Sequence, residues 1–284
     1  MIGGAIPLRR HSGGVQATEV LRVLRQIHQL GENATGALML GRAGRAEGSV
    51  LVENGRLCWA VAAGMRRRMS DLIREEAGDA AEPGWLEAHY RRCREQNRPF
   101  GEALVEEGLV SAAGLRKALS RHTSESIAKI CSQAELRMEW MPHRNRRYDA
   151  RFTFEPWRVL VAVGSLVFPE ESAKAEQDLK RIVPSRGFAL AFVREPGISR
   201  PFPVAVAGQL PSEEADPLAV GGWATSILDL VRAVDPDGRI VAASTPAGPS
   251  LVAWGCARTV TVAICMDTVT MARLLGRESR SCVG

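Results

Sequence analysis

A chain of 284 residues is long enough for two domains, and its 45% hydrophobic and 24% charged content is that of a globular protein, which excludes a disordered or fibrous one. The net charge of +5 is carried almost wholly by arginine, since only four residues are lysine, and the excess lies in residues 1–158, with 25 basic against 19 acidic groups. Basic and acidic groups are interleaved there, so the charge alone does not call for nucleic acid.

The opening MIGGAIPLRRHSGGV has arginines with no apolar run behind them, unlike a secretory signal, and residues 1–14 read as a flexible arm. Residues 16–30 place Val20, Leu24 and Ile27 at helical spacing. Thr35-Gly36 then punctuates, and ALMLG begins a strand. GRAGRAEGS reads as a glycine-rich connection into a hairpin, GSVLVENGRLCWAVAAG. Asn54-Gly55 is the strongest local signal in the chain, because a type I′ turn needs positive φ at both central residues. A continuous ladder from that turn sets Glu53 against Arg56, Val52 against Leu57, Leu51 against Cys58 and Val50 against Trp59. On that register Val50, Val52, Leu57 and Trp59 share the core face.

After Gly64 the spacing predicts helices, the first with Met65, Met69, Leu72 and Ile73 on one face. Residues 85–132 continue as helices broken at 97–99 and at Gly108, with Ser111 as an N-cap. A weak repeat runs through this region: Leu72 matches Leu104, Leu86 matches Leu115, and Tyr90 matches Leu119, as two copies of a helix-turn-helix unit would give. ELRMEW and RFTFEP alternate in the manner of strands and read as a second hairpin, over 135–154, closing the first domain.

From about residue 157 the pattern changes. The apolar run VLVAVGSLVF, 159–168, is about half the length of a membrane span. Residues 169–183 form an amphipathic helix, FALAFV and PFPVAVAG two strands, and 217–234 a helix with Trp223, Ile227, Leu230 and Val234 on one stripe. RIVAAST, SLVAWG and RTVTVAICM are three further strands, and DTVTMARLLG is a closing helix. The order αββαβββα implies an α+β layer with a five-stranded antiparallel sheet.

Chemistry-bearing patterns are sparse. The six cysteines have no CxxC pair and sit mostly in apolar patterns, so they read as buried thiols, and no zinc is expected. No two of the five histidines are spaced as ligands. GRAGRAEGS lacks the Gly-Lys-Ser/Thr of a phosphate loop and joins strands. Adjacent acids such as Glu106-Glu107 point apart on a helix and read as a solvated face. Arg66, Arg67, Arg68 and Arg144, Arg146, Arg147 form two basic runs suited to a solvated face or an acidic protein partner, with duplex DNA as the alternative.

The C-terminal order, with VDPDGRIVAAST followed by SLVAWGCARTVTVAICM, resembles the roadblock domain over residues 165–280, a roadblock/longin-like layer. That resemblance implies a non-enzymatic platform that dimerises and sits beside Ras-like small GTPases. By position it implies a partner surface on the 217–234 helix and the following strand, at Trp223, Ile227, Leu230, Ile240 and Ala242. TGALML with the hairpin, matched at Gly36, Leu38, Gly55, Trp59 and Ala60, resembles the PATAN domain over residues 15–156, with a helical insert at 65–132. It implies bacterial signalling through protein contacts. RPFGEALVEEGLVSAAGLRKALSRH is similar to the helical N-terminal domain of type II secretion ATPases, some of which bind cyclic di-GMP. Arg98 and Gly101 would be the ligand contacts. The expectation is a cytoplasmic, homodimeric bacterial scaffold that is not an enzyme and has no cofactor or membrane span, with a cyclic dinucleotide sensor or DNA-binding regulator as alternatives.

Overall fold

The computed structural model describes residues 15–66, 68–78, 84–96, 98–143, 148–182, 187–194, 201–208, 226, 240–243, 250–255 and 259–265. The chain is mixed α+β and divides into two compact units between Glu155 and Pro156.

In the first unit, helix α1 (Ala17–Gln29) precedes a meander of β1 (Gly36–Arg42), β2 (Arg45–Glu53) and β3 (Arg56–Ala62). Two tight hairpins build it. Asn54 and Gly55 have φ of 52° and 71°, and Ala43 and Gly44 have 47° and 80°, so both connections take positive φ at both central residues, as type I′ turns do. GRAGRAEGS is therefore mostly strand, with a two-residue turn, rather than a glycine-rich connection: β1 runs through Arg42 and β2 starts at Arg45. Gly55 is also sterically required, because a Cβ there would lie 2.8 Å from the Glu32 Cα. Its N–H donates to Ala34 O at 3.0 Å, and at the other end of α1 Gln16 N–H donates to Cys131 O at 2.8 Å. These bonds tie down the N-cap of α1 and the loop that follows the helix, whose Val20, Val23, Leu24 and Ile27 are buried.

The hairpin register departs from the continuous ladder. Glu53 opposes Arg56 and Val52 opposes Leu57, but Leu51 opposes Trp59 and Val50 opposes Ala60. Cys58 is the extra residue of a β-bulge. A one-residue shift moves every following side chain to the opposite face. The buried face is therefore Val50, Val52, Leu57, Ala60 and Ala62, joined by Leu38 and Leu40 of β1. Trp59, expected among them, stands on the other face beside Leu51.

Strand β4 (Arg137–Pro142) forms where ELRMEW alternates, but it pairs with β1, giving the order β3-β2-β1-β4. The second hairpin over 135–154 does not form. Phe152, which ends a short 3-10 turn (Ala150–Phe152), packs in the helical core instead, and Phe154 makes a two-bond bridge to Leu57 on the far edge of the sheet, both bonds 2.8 Å. Burying Phe152 among helices prevails over extending a strand.

Four helices follow the meander: α2 (Met69–Ala77), α3 (Trp85–Glu95), α4 (Phe100–Glu106) and α5 (Ala112–Ile130). Met65 precedes α2 rather than joining its apolar face. The repeat is real in packing. Leu72, Leu104, Leu86 and Leu115 meet in one core, and the pairs cross, α2 lying on α5 and α3 on α4. Gly78 and Gly108, at φ 61° and 69°, turn the chain after the first helix of each copy. Ser111 caps α5 as expected, its Oγ accepting from Gly114 N at 3.0 Å. Helix α5 also packs along β3.

In the second unit the apolar run forms α6 (Pro156–Val167), followed by α7 (Pro169–Ile182). Strands β5 (Gly187–Val193), β6 (Phe202–Gly208), β7 (Ile240–Ala243), β8 (Ser250–Gly255) and β9 (Thr259–Cys265) form the expected five-stranded antiparallel sheet, in the order β6-β5-β9-β8-β7. Of the helix read at 217–234 only Ser226, which is helical, is described, and the helix read at 267–276 lies outside the described residues. Val161 of α6 packs with Phe188, Leu190, Phe192, Val260 and Val262 of the sheet. The contact is close at Gly164, where a Cβ would stand 1.9 Å from Pro203 O on β6. Among the described residues no helix is long and apolar enough to cross a membrane.

Since a β-strand carbonyl cannot retreat from a helix packed on it without breaking its ladder, Gly164→Ala is expected to destabilise this unit by about 3 kcal/mol. Urea unfolding followed by circular dichroism measures it, and an unchanged midpoint would contradict the close approach.

Candidate functional site

The bulge at Cys58 turns Trp59 and Leu51 toward the helical repeat, and between them lies a cleft of about 730 Å³. Helix α2 supplies Met69, Ile73 and Arg74 to its wall, α3 supplies Leu86, Glu87 and Tyr90, and the start of α4 supplies Phe100 and Glu102. Leu115 and Leu119 of α5 and Phe152 complete it, with Arg68, Tyr148 and Asp149 also lining it. Gly101 belongs to the lining, and a Cβ there would sit 3.2 Å from Leu115.

Carbon dominates this surface, and most of its charges have internal partners. Arg74 pairs with Asp71 at 3.0 Å and Glu87 with Arg91 at 2.6 Å. Asp149 accepts from the Arg151 Nε at 2.7 Å and, with a smaller effect, from its backbone N–H at 2.8 Å, which together hold its carboxyl below the usual range. Glu102 lies within electrostatic reach of the same Arg151. The Cys58 thiol is a poor nucleophile, since burial, with Glu53 adding to it, pushes it up to about 12. Cys131 is likewise pushed up to about 12 by burial. Cys58, Cys93 and Cys131 are the buried free thiols the sequence implies.

Two buried histidines flank the cleft. The His122 ring lies 4.8 Å from that of Trp59 and makes a backbone hydrogen bond at Ala60, leaving its Nδ1 without a partner. The His89 Nδ1 sits 2.6 Å from Arg92 Nη2, which must donate to it, so Nε2 carries the proton; Nε2 is buried and unpartnered. Trp85 and Phe100 lie against this ring. The pKa of each is lowered, chiefly by burial; at His89 Arg92 and Arg98 add to that while Glu107 opposes it, and at His122 Glu125 opposes it.

The residues singled out in the sequence are not gathered into one site. Arg98 is tied to its own repeat: it bonds Glu107 at 2.9 Å and also Glu106, which keeps it firmly protonated. Arg66 and Arg68 are exposed, and only Arg68 lines the cleft. Arg67, Arg144, Arg146 and Arg147 lie outside the described residues, as do Trp223, Ile227 and Leu230. Ile240 and Ala242 fall on β7, the edge strand of the sheet among the described residues, opposite Trp254 and Val252. Among the described residues no cluster of metal-ligating side chains occurs. The cleft was not read from the sequence. Two repeat positions differ in its lining: Tyr90, 50% exposed, takes the place of the partly buried Leu119, and Met69 that of Gly101.

Compared with known proteins, the chain matches no family model and no curated protein.

The depressed histidines carry a pH dependence whose sign follows from linkage. An unfolded histidine protonates near 6.5, whereas these two stay neutral in the fold to lower pH. Stability is full above that value and is lost as pH falls through it toward the depressed folded values. The melting temperature is expected to drop between pH 7.5 and pH 5.5 by more than in a His89→Gln/His122→Gln variant, as thermal denaturation at both pH values would read. Equal slopes would contradict the assignment.

Proposed function

We propose that the chain is a non-enzymatic bacterial signalling scaffold that works by protein–protein contact. Its first unit is PATAN-like. Its second is a roadblock/longin-like platform that dimerises and docks a Ras-like small GTPase, which makes the protein a small-GTPase regulator in the cytoplasm. The observation that carries this reading is the make-up of the cleft. Its walls are hydrocarbon, most of its charges are held in internal pairs, and its thiol has a pKa too high to attack. Catalysis needs convergent groups with pKa values matched to a proton or acyl transfer, and a wall of hydrocarbon with mostly paired charges suits contact better. The run α7, β5, β6, then β7, β8, β9 supports the expected order of the second unit. The position of β7 at a sheet edge suits a symmetric contact through Ile240 and Ala242, with Trp223, Ile227 and Leu230 of the preceding segment as its apolar contributors.

The cyclic dinucleotide reading finds less support, because a phosphate at Arg98 would have to displace two glutamates already bonded to it. A DNA-binding role would rest on the two arginine runs, of which Arg66 and Arg68 are exposed.

Trp223→Asp is expected to convert a dimer into a folded monomer, measured by sedimentation velocity with circular dichroism as the folding control. A folded, unchanged dimer would remove Trp223 from the interface. Retention of a small GTPase on the full chain that differs between GTP and GDP would support the docking half of the proposal, and equal retention of none in either state would count against it.

A further inference from the structure

The two edges of the first unit's sheet are treated differently. At β3 the edge is covered: Phe154 bridges to Leu57, and α5 packs along the strand. At β4 the order β3-β2-β1-β4 ends, and among the described residues no strand pairs with its outer side. Arg137, Glu139, Met141 and Pro142 are exposed there, and Met138 and Trp140 are half-buried. The ladder fixes which backbone groups are free. His143 N–H donates to Thr35 O at 3.3 Å. By the period of two, Met141, Glu139 and Arg137 then turn their backbone groups toward Ala37, Met39 and Gly41 of β1. Met138 and Trp140 turn theirs outward, an open template for another strand.

We propose that β4 pairs antiparallel with β4 of a second copy of this chain, about a two-fold axis at Met138, so that the two sheets become one. Charge selects both the partner and the register. Arg137 and Glu139 share the face of β4 away from the core, and neither makes an ion pair among the described residues. A two-fold axis normal to the sheet keeps that face common to both copies. Centred on Met138, it sets Arg137 opposite the second copy's Glu139, and Glu139 opposite the second copy's Arg137. These are non-hydrogen-bonded positions, where opposed side chains come closest. A centre at Glu139 would set that carboxylate against its own copy. A centre at Trp140 would set Met138 against Pro142, which has no N–H, and lose two ladder bonds. An edge guarded against its own copy carries charges of one sign; opposite signs two residues apart attract it. On the other face Met138 meets Met138, and Trp140 gains cover beside the second copy's Leu136. The Leu136 carbonyl already accepts from the Arg22 guanidinium, and its second lone pair serves the incoming Trp140 N–H. This contact is separate from the self-association proposed for the second unit.

Sedimentation equilibrium of the full chain at low ionic strength, where surface charges are least screened, tests this. Every chain carries Trp223→Asp, to remove the second unit's contribution. A reversible dimer with a Kd on the order of tens of micromolar is expected, as a short edge contact gives. Arg137→Glu and Glu139→Arg should each weaken it by about tenfold or more, since each sets like charges opposite one another. Mixing these two variants should restore association, and so should Arg137→Glu/Glu139→Arg in one chain. A Trp223→Asp chain still monomeric tenfold above that concentration would overturn the proposal. So would single variants that associate like their parent, or defects that neither the mixture nor the double variant repairs. If Trp223→Asp does not fold by circular dichroism, amide hydrogen exchange in the unmodified chain decides. The Met138 and Trp140 amides should then exchange at least tenfold more slowly than in Arg137→Glu at equal concentration, and equal rates would overturn the pairing. A failure here leaves the second unit's dimer standing, because that is read from Trp223→Asp against the unmodified chain.

Discussion

The first unit turns on one extra residue in a strand. Cys58 interrupts the ladder between β2 and β3, and from that point each side chain of β3 stands on the opposite face from where a continuous hairpin would put it. Small residues, Ala60 and Ala62, then fill the core side, while the bulky indole of Trp59 is directed outward. Had the ladder been continuous, Trp59 would sit in the core, Cys58 and Ala60 would face outward, and the wall opposite the helical repeat would lack its largest side chain. Cleft and core are thus set by the same backbone irregularity. Deep burial of Cys58, which keeps its thiol protonated, makes the bulge a packing feature with no thiol chemistry of its own.

The helical repeat supplies the other wall by a crosswise arrangement. Neither two-helix copy buries its apolar stripe alone, so α2 packs on α5 and α3 on α4, and the matched leucines meet in one core. Polar groups tie the copies together at the rim: Glu107 accepts from Arg92 at 2.8 Å and from Arg98, and faces His89 at 3.6 Å. This network accounts for Arg98 as a structural residue of the repeat. It also gives the buried imidazole its acceptor role at Nδ1.

Element existence was legible wherever a local pattern had a local cause. Asn54-Gly55 fixed a turn, Ser111 a cap, and 3.6-residue spacing α1 and α5; short apolar runs between turn signals found every described strand of the second unit. What failed depended on competition between distant parts. The bulge cannot be read from GRLCWAVA, because Cys58 and Trp59 are both acceptable on a core face. RFTFEP alternates like a strand, but Phe152 gains more from the core of α2, α4 and α5 than from a ladder. Ala43-Gly44 was obscured by the glycines around it, although Arg42 and Arg45 flank it as strand residues. The cleft itself is assembled from the hairpin, four helices and the 148–152 segment, and a site drawn from so many separate segments leaves no contiguous motif. Tyr90, polar-tipped where its repeat partner is leucine, counted in the sequence only as a match within the repeat.

The bulge turns Trp59 away from the sheet core and onto α5. Nuclear Overhauser effects from the Trp59 indole protons, in protein labelled selectively at tryptophan, test it most directly. Cross-peaks to the His122 ring are expected, given a centroid separation of 4.8 Å. Cross-peaks to the methyls of Val50 and Leu38, with none to His122, would mean a continuous hairpin with Trp59 in the core.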